Sequence, residues 1–134
     1  MLRAKYAAVV FLLLAFTISD RPVEAADDPS IKGELRASIQ TAMGELIQRN
    51  TVDGVFRHYD PVAGKLLRLQ LKELHDGIVQ KGDFYVSCAD FKDEAGNTFD
   101  LDFLVVPAGD GVRAVQALVH KSDGVKRPYH LESD

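Results

Sequence analysis

The chain has 134 residues, 46% of them hydrophobic and 27% charged, with ten Gly, five Pro and no Trp. That balance excludes a disordered chain, a collagen-like repeat and a disulfide-dense miniprotein. The formal net charge of −4 lacks the basic excess of a nucleic-acid binder, and no nucleic acid is expected as a partner.

The N-terminus carries the three parts of a secretory signal. Arg3 and Lys5 supply a basic start, and residues 7–18 (AAVVFLLLAFTI) follow without a charge. That apolar run is too short for a spanning helix, which needs about 20 residues. Val23 and Ala25 stand at the −3 and −1 positions of a cleavage site after Ala25. Cleavage removes three bases and two acids, leaving a net charge of −5. No later apolar run is long enough to span a bilayer, so a periplasmic or secreted protein without a transmembrane anchor is expected. Cys88 is the one cysteine and has no partner for an internal disulfide. In an oxidising compartment the fold must therefore hold by packing, with Cys88 expected as a small buried hydrophobe.

The expected organisation is a signal peptide over 1–25, a polar lead-in over 26–29, one domain over 30–122 and a polar tail over 123–134. Asp28 and Pro29 suit an N-cap and a first helical position. Ile31, Leu35, Ile39, Ala42, Met43, Leu46 and Ile47 then recur every three or four residues, which predicts one amphipathic helix ending at Asn50.

Beyond Gly54 the pattern changes to strands. Residues 55–59 lead into the turn Asp60-Pro61-Val62-Ala63-Gly64, after which 65–74 alternates, with Leu67, Leu69 and Leu71 on one side. A loop through Gly77 and Lys81-Gly82-Asp83 precedes a strand over 84–91. The turn at 92–97 connects it to a strand over 98–106, where Phe99, Leu101, Phe103 and Val105 face inward. The last strand spans 112–121, with Val115, Ala117 and Val119 as its inner set. One helix followed by about five strands on short links is an α+β arrangement, an antiparallel meander with the helix on its apolar face. A cystatin-like plan fits a single helix best; the alternative is an NTF2-like cone.

The hairpin YDPVAGKLLRL (59–69), the strand pair CADFKDEAGNTFDLDF (88–103) and the ending HKSDG (120–124) resemble those of small exported bacterial proteins with a cystatin-like fold. The resemblance implies that fold and brings no catalytic residues. The Gln-x-Val-x-Gly binding loop of the cystatin inhibitors has no match here; Ile78-Val79-Gln80-Lys81-Gly82 comes nearest.

Candidate chemistry is sparse. His58-Tyr59-Asp60 offers a base and a carboxylate but no adjacent nucleophile, and Asp60 is expected to cap the turn. His75-Asp76 reads as a solvated loop, since two ligands make half a zinc site. Asp100 and Asp102, two apart on a strand, place both carboxylates on one face about 7 Å apart. With His120 on the neighbouring strand they are candidate metal ligands. The preferred reading is the polar outer face of a strand, whose charges block edge pairing, so no metal site is expected. Phe84, Val86, Phe99, Leu101, Phe103, Leu69 and Leu71 are expected to fill the core, or else to line a pocket under the helix.

No cofactor is implied, and no catalytic set emerges. The leading expectation is an exported, non-enzymatic binding or adaptor domain contacting a protein or peptide in the cell envelope. Leu66, Leu104, Val106 and Leu118 would form its partner-binding face. The alternatives are an NTF2-like small-molecule binder or enzyme, and a structural domain that pairs as a homodimer.

Overall fold

A computed structural model describes residues 26–129. The signal segment expected over 1–25 and the final five residues lie outside them.

The helix α1 (Gly33–Arg49) buries Ile39, Ala42, Met43, Leu46 and Ile47, the stripe expected from the 3.6-residue period. It begins later than Asp28-Pro29 suggests. Asp28 caps a turn of its own: its carboxylate accepts the Ser30 amide at 2.9 Å and the Ser30 hydroxyl at 2.7 Å. The chain then enters α1 through Gly33 at φ +61°, a left-handed conformation that a side chain would resist. Turn and helix are thereby separate, and Lys32, with no side-chain cap bond, stands at the N-cap.

Seven antiparallel strands follow and pair in sequence order. They are β1 (Thr51–Val52), β2 (Val55–Asp60), β3 (Lys65–Lys81), β4 (Phe84–Lys92), β5 (Thr98–Ala108), β6 (Gly111–Ser122) and β7 (Val125–Lys126). The five long strands are those expected from alternation; the two short ones extend the edges. The region after Ser122 does not leave the sheet as a free tail, because β7 pairs back onto Lys121 and Ser122. Among the described residues no helix is long and apolar enough to cross a membrane.

The core lies between α1 and one face of the sheet. Phe56, Phe91 and Phe103 stack across it, with ring centroids 5.3 Å and 6.3 Å apart. Leu69, Phe99, Leu101 and Phe103 join it as expected, whereas Leu71 is exposed. Val86 is buried outside this cluster. Val115 is also turned out to solvent. A register shift between Leu104 and Val105 gives β6 one extra residue there, which puts Ala114 into the core in its place, while Ala117 and Val119 are buried as expected.

Two further shifts matter more. β3 does not end at Leu74 but continues to Lys81 through an irregularity in which Leu74 pairs with Ala89 and Ile78 with Ser87. His75, Asp76 and Gly77 therefore belong to a strand and not to a loop, with His75 half-buried and Asp76 exposed. In β6, Lys121 pairs with Asp100 and Val119 with Leu101, so His120 is the extra residue of a bulge.

Candidate metal centre

In β4, Cys88 and Asp90 alternate with the core residues Ala89 and Phe91 and so stand on the opposite face of the sheet. Across the ladder Cys88 pairs with Asp102 and Asp90 with Asp100, which places all four on that face. The irregularity in β3 brings His75 to this group, and the bulge in β6 brings His120.

The lead-in segment holds the β3 irregularity in shape. The Asp28 amide donates to the Ile78 carbonyl at 2.8 Å, and the Ile78 amide donates to the Asp27 carboxylate at 3.1 Å. Arg36 on α1 donates to Asp27 at 2.8 Å and to the carbonyls of Ile31 and Asp76. From β4, the Ser87 hydroxyl donates to the Gly77 carbonyl at 2.7 Å.

His75 is the junction of the site. Its Nε2 lies 2.9 Å from an Asp90 carboxylate oxygen and its Nδ1 lies 2.7 Å from Cys88 Sγ. A carboxylate on one ring nitrogen fixes the ring and leaves the other nitrogen to act as a ligand. On the far side, His120 Nδ1 lies 3.3 Å from an Asp102 oxygen, and Lys121 Nζ lies 3.9 Å from Asp100. Two sets result, each with its ligand atoms within 4.8 Å of one another: His75, Cys88 and Asp100, and Asp100, Asp102 and His120.

Asp100 and Asp102 thus do not form a solvated outer face. Asp102 is fully buried and the Asp100 side chain is 12% exposed. β4 and β5 are central strands, and the chain beyond β7 folds back over this side. Its Tyr129 ring lies 6.2 Å from that of His120. Burial pushes the Asp100 carboxyl up, against the pull of the His75, His120 and Lys121 charges, and the charge of Asp90 pushes the same way. Burial also works against a charged His75, but the hydrogen bond that it donates to Asp90 and the charges of Asp90, Asp100 and Glu73 outweigh it and raise its pKa. A groove of about 420 Å³ opens onto His75, Asp90 and Asp100, with Lys72 and Lys121 on its rim and Phe99 in its lining.

The three sequence candidates Asp100, Asp102 and His120 come together; His75, Cys88 and Asp90 complete the cluster and were not expected in it. Cys88 is buried as expected, yet it meets an imidazole, so it is more than a small hydrophobe. The His58-Tyr59-Asp60 group builds no site. His58 stacks at 6.0 Å on Phe56, and burial lowers its pKa. Asp60 accepts the turn amides of Val62 and Ala63 and holds Arg127. Of the proposed partner face, Leu66 is exposed in the β2–β3 hairpin, while Leu104, Val106 and Leu118 are half-buried; Leu118 pairs with Asp102 inside the polar cluster.

The thiol–imidazole–carboxylate order of Cys88, His75 and Asp90 is also that of a cysteine nucleophile set. A nucleophile must meet its substrate, and Cys88 is 2% exposed in the interior of a strand. The arrangement suits ligation of a small ion better than attack on a carbonyl. Comparisons with protein-family models, curated proteins and solved structures find no match to this chain.

Proposed function

We propose that the protein is an exported binding module of cystatin-like plan whose ligand is a thiophilic divalent ion, Zn²⁺ above all. His75, Cys88 and Asp100 would hold the ion. One observation carries the reading: an imidazole nitrogen, a thiol and a carboxylate converge within 4.8 Å, and Asp90 orients the imidazole. Thiolate and imidazole together select zinc and its neighbours over magnesium or calcium, which take oxygen ligands. Nδ1 and Sγ now stand 2.7 Å apart, and a tetrahedral ion would part them to roughly 3.6 Å. The groove beside His75 supplies an entry path and room for a water or small anion at an open position.

Cobalt titration tests this directly. A thiolate-to-cobalt charge-transfer band is expected to grow with added Co²⁺ and to vanish in Cys88→Ser. At a Zn²⁺ concentration of 100 times Kd the fold should gain about 2.7 kcal/mol. No charge-transfer band and an unmoved thermal midpoint would refute the assignment.

A second reading, docking of an envelope protein or peptide, draws on the β2–β3 hairpin, where Tyr59, Val62 and Leu66 are exposed side by side. Crosslinking from position 62 in the native envelope tests it. Loss of the adduct in Leu66→Asp is the expected result, and an adduct indifferent to that change would count against it.

A further inference from the structure

We infer that the centre holds two divalent ions, bridged by the carboxylate of Asp100. The inference rests on the metal reading above and extends it to the second ligand set. Asp100 belongs to both sets, with His75 and Cys88 on one side and Asp102 and His120 on the other. Two bulges in different strands converge on this one residue, since His75 and His120 are both out-of-register residues that flank it. A carboxylate has two oxygens, and one shared between two ligand sets places the ions in adjacent positions, about 3.5 to 4 Å apart in two-metal sites.

Burial supports the reading. Asp100 and Asp102 stand side by side on β5, with Asp102 fully buried and the Asp100 side chain 12% exposed. Buried carboxyl groups are costly unless they pair with cations or coordinate metals. Lys121 approaches Asp100 only to 3.9 Å and remains partly in solvent. Asp100 Oδ1 is buried and meets no hydrogen-bond donor among the described residues, which leaves a lone pair for a ligand bond. The two positions differ in chemistry. The first, with thiolate and imidazole, prefers zinc; the second, with two carboxylates and an imidazole, also accepts harder ions such as Mn²⁺.

The test is metal stoichiometry on the intact chain, using Co²⁺ followed by spectroscopy and elemental analysis. Wild type is expected to bind two equivalents, the first with the thiolate charge-transfer band and the second without adding to it. Cys88→Ser should keep one equivalent and lose the band, whereas His120→Ala should keep one equivalent with the band. Asp100→Asn should fall to one or none. Because the ions share a carboxylate, the paramagnetic signal of the one-cobalt form should weaken as the second ion enters. Wild type saturating at one equivalent with the band present overturns the inference and leaves the single-ion reading standing. No bound cobalt overturns both. Two equivalents with fully additive paramagnetic signals overturn the bridge.

Discussion

Burial pushes the Asp100 carboxyl above the usual carboxylate range, whereas the unfolded chain titrates it near 3.9. The folded state therefore takes up a proton on Asp100 before the unfolded state does, so folding gains stability from Asp100 as pH falls through its raised value. At neutral pH the ionised group weakens the metal-free fold. Asp100→Asn should accordingly raise the thermal midpoint of the metal-free protein at pH 7, and the gain should fade as pH falls toward about 4. Scanning calorimetry in chelator checks this, and a lower midpoint at pH 7 would mean that the carboxylate supplies native contacts instead. His75 works in the same sense from the basic side. Its folded pKa is raised, so its pairing with Asp90 contributes fully below about 6.5 and is lost as pH rises through the folded value. The metal-free protein should thus be more stable at mildly acidic than at mildly basic pH. Zinc should reverse that order, because ligation needs both groups deprotonated. Thermal midpoints at the two pH values, with and without zinc, decide it.

The irregular stretch of β3 is the element on which the site depends, and none of its supports is a ligand. Arg36 ties α1 to Asp27 and to the Asp76 carbonyl, one residue from His75. Arg36→Ala should weaken zinc binding about tenfold or more, the scale on which outer-shell partners act, while leaving the ligands in place. A competition titration with a chelating dye measures it, and unchanged affinity would show that β4 alone positions His75. The same element shows what could be read in advance. The stripe of α1 and the five long strands are local patterns of period 3.6 and period 2, and they survive into the fold. The turn at 93–97 likewise sets Cys88 opposite Asp102 and Asp90 opposite Asp100, a pairing legible from hairpin geometry alone. The bulges were not legible. They arise from register between strands and from partners as remote as Asp27 and Ser87, and alternation fails at those points. His75 and His120 both sit at such points, so the site is completed where the period-2 reading stops working.

At the scale of the molecule the sheet has to curl around α1, and two features show how that is held. Phe91, between Phe56 and Phe103, ties the second, fourth and fifth strands together through the core; Phe91→Ala should cost about 3–5 kcal/mol in urea denaturation. The second feature closes the curl. Asp60 ends β2 and Arg127 follows β7, yet the guanidinium donates to both carboxylate oxygens at 2.6 Å with the Asp60 side chain only 2% exposed. Arg127 thereby fixes the segment that carries Tyr129 across His120. The Arg127 hydrogen bond holds the Asp60 carboxyl well below the usual carboxylate range, more than offsetting burial, and the amides of Ala63 and Val62 help. The sign is the reverse of that for Asp100: the unfolded chain binds the proton first, so the contribution is full above about 3.9 and is lost as pH falls through the lower folded value. Arg127→Ala leaves a buried carboxylate without its cation and should cost about 3 kcal/mol at neutral pH. That loss should shrink in acid, because protonation relieves the unpaired charge. Urea midpoints for wild type and variant at pH 7 and pH 3.5 provide the comparison. Equal losses at both would assign the effect to packing of the Arg127 side chain, and a loss confined to neutral pH would assign it to the ion pair. In a chelator chase, zinc-loaded Arg127→Ala should release zinc faster than wild type, since the segment that carries Tyr129 across His120 is no longer clamped to Asp60.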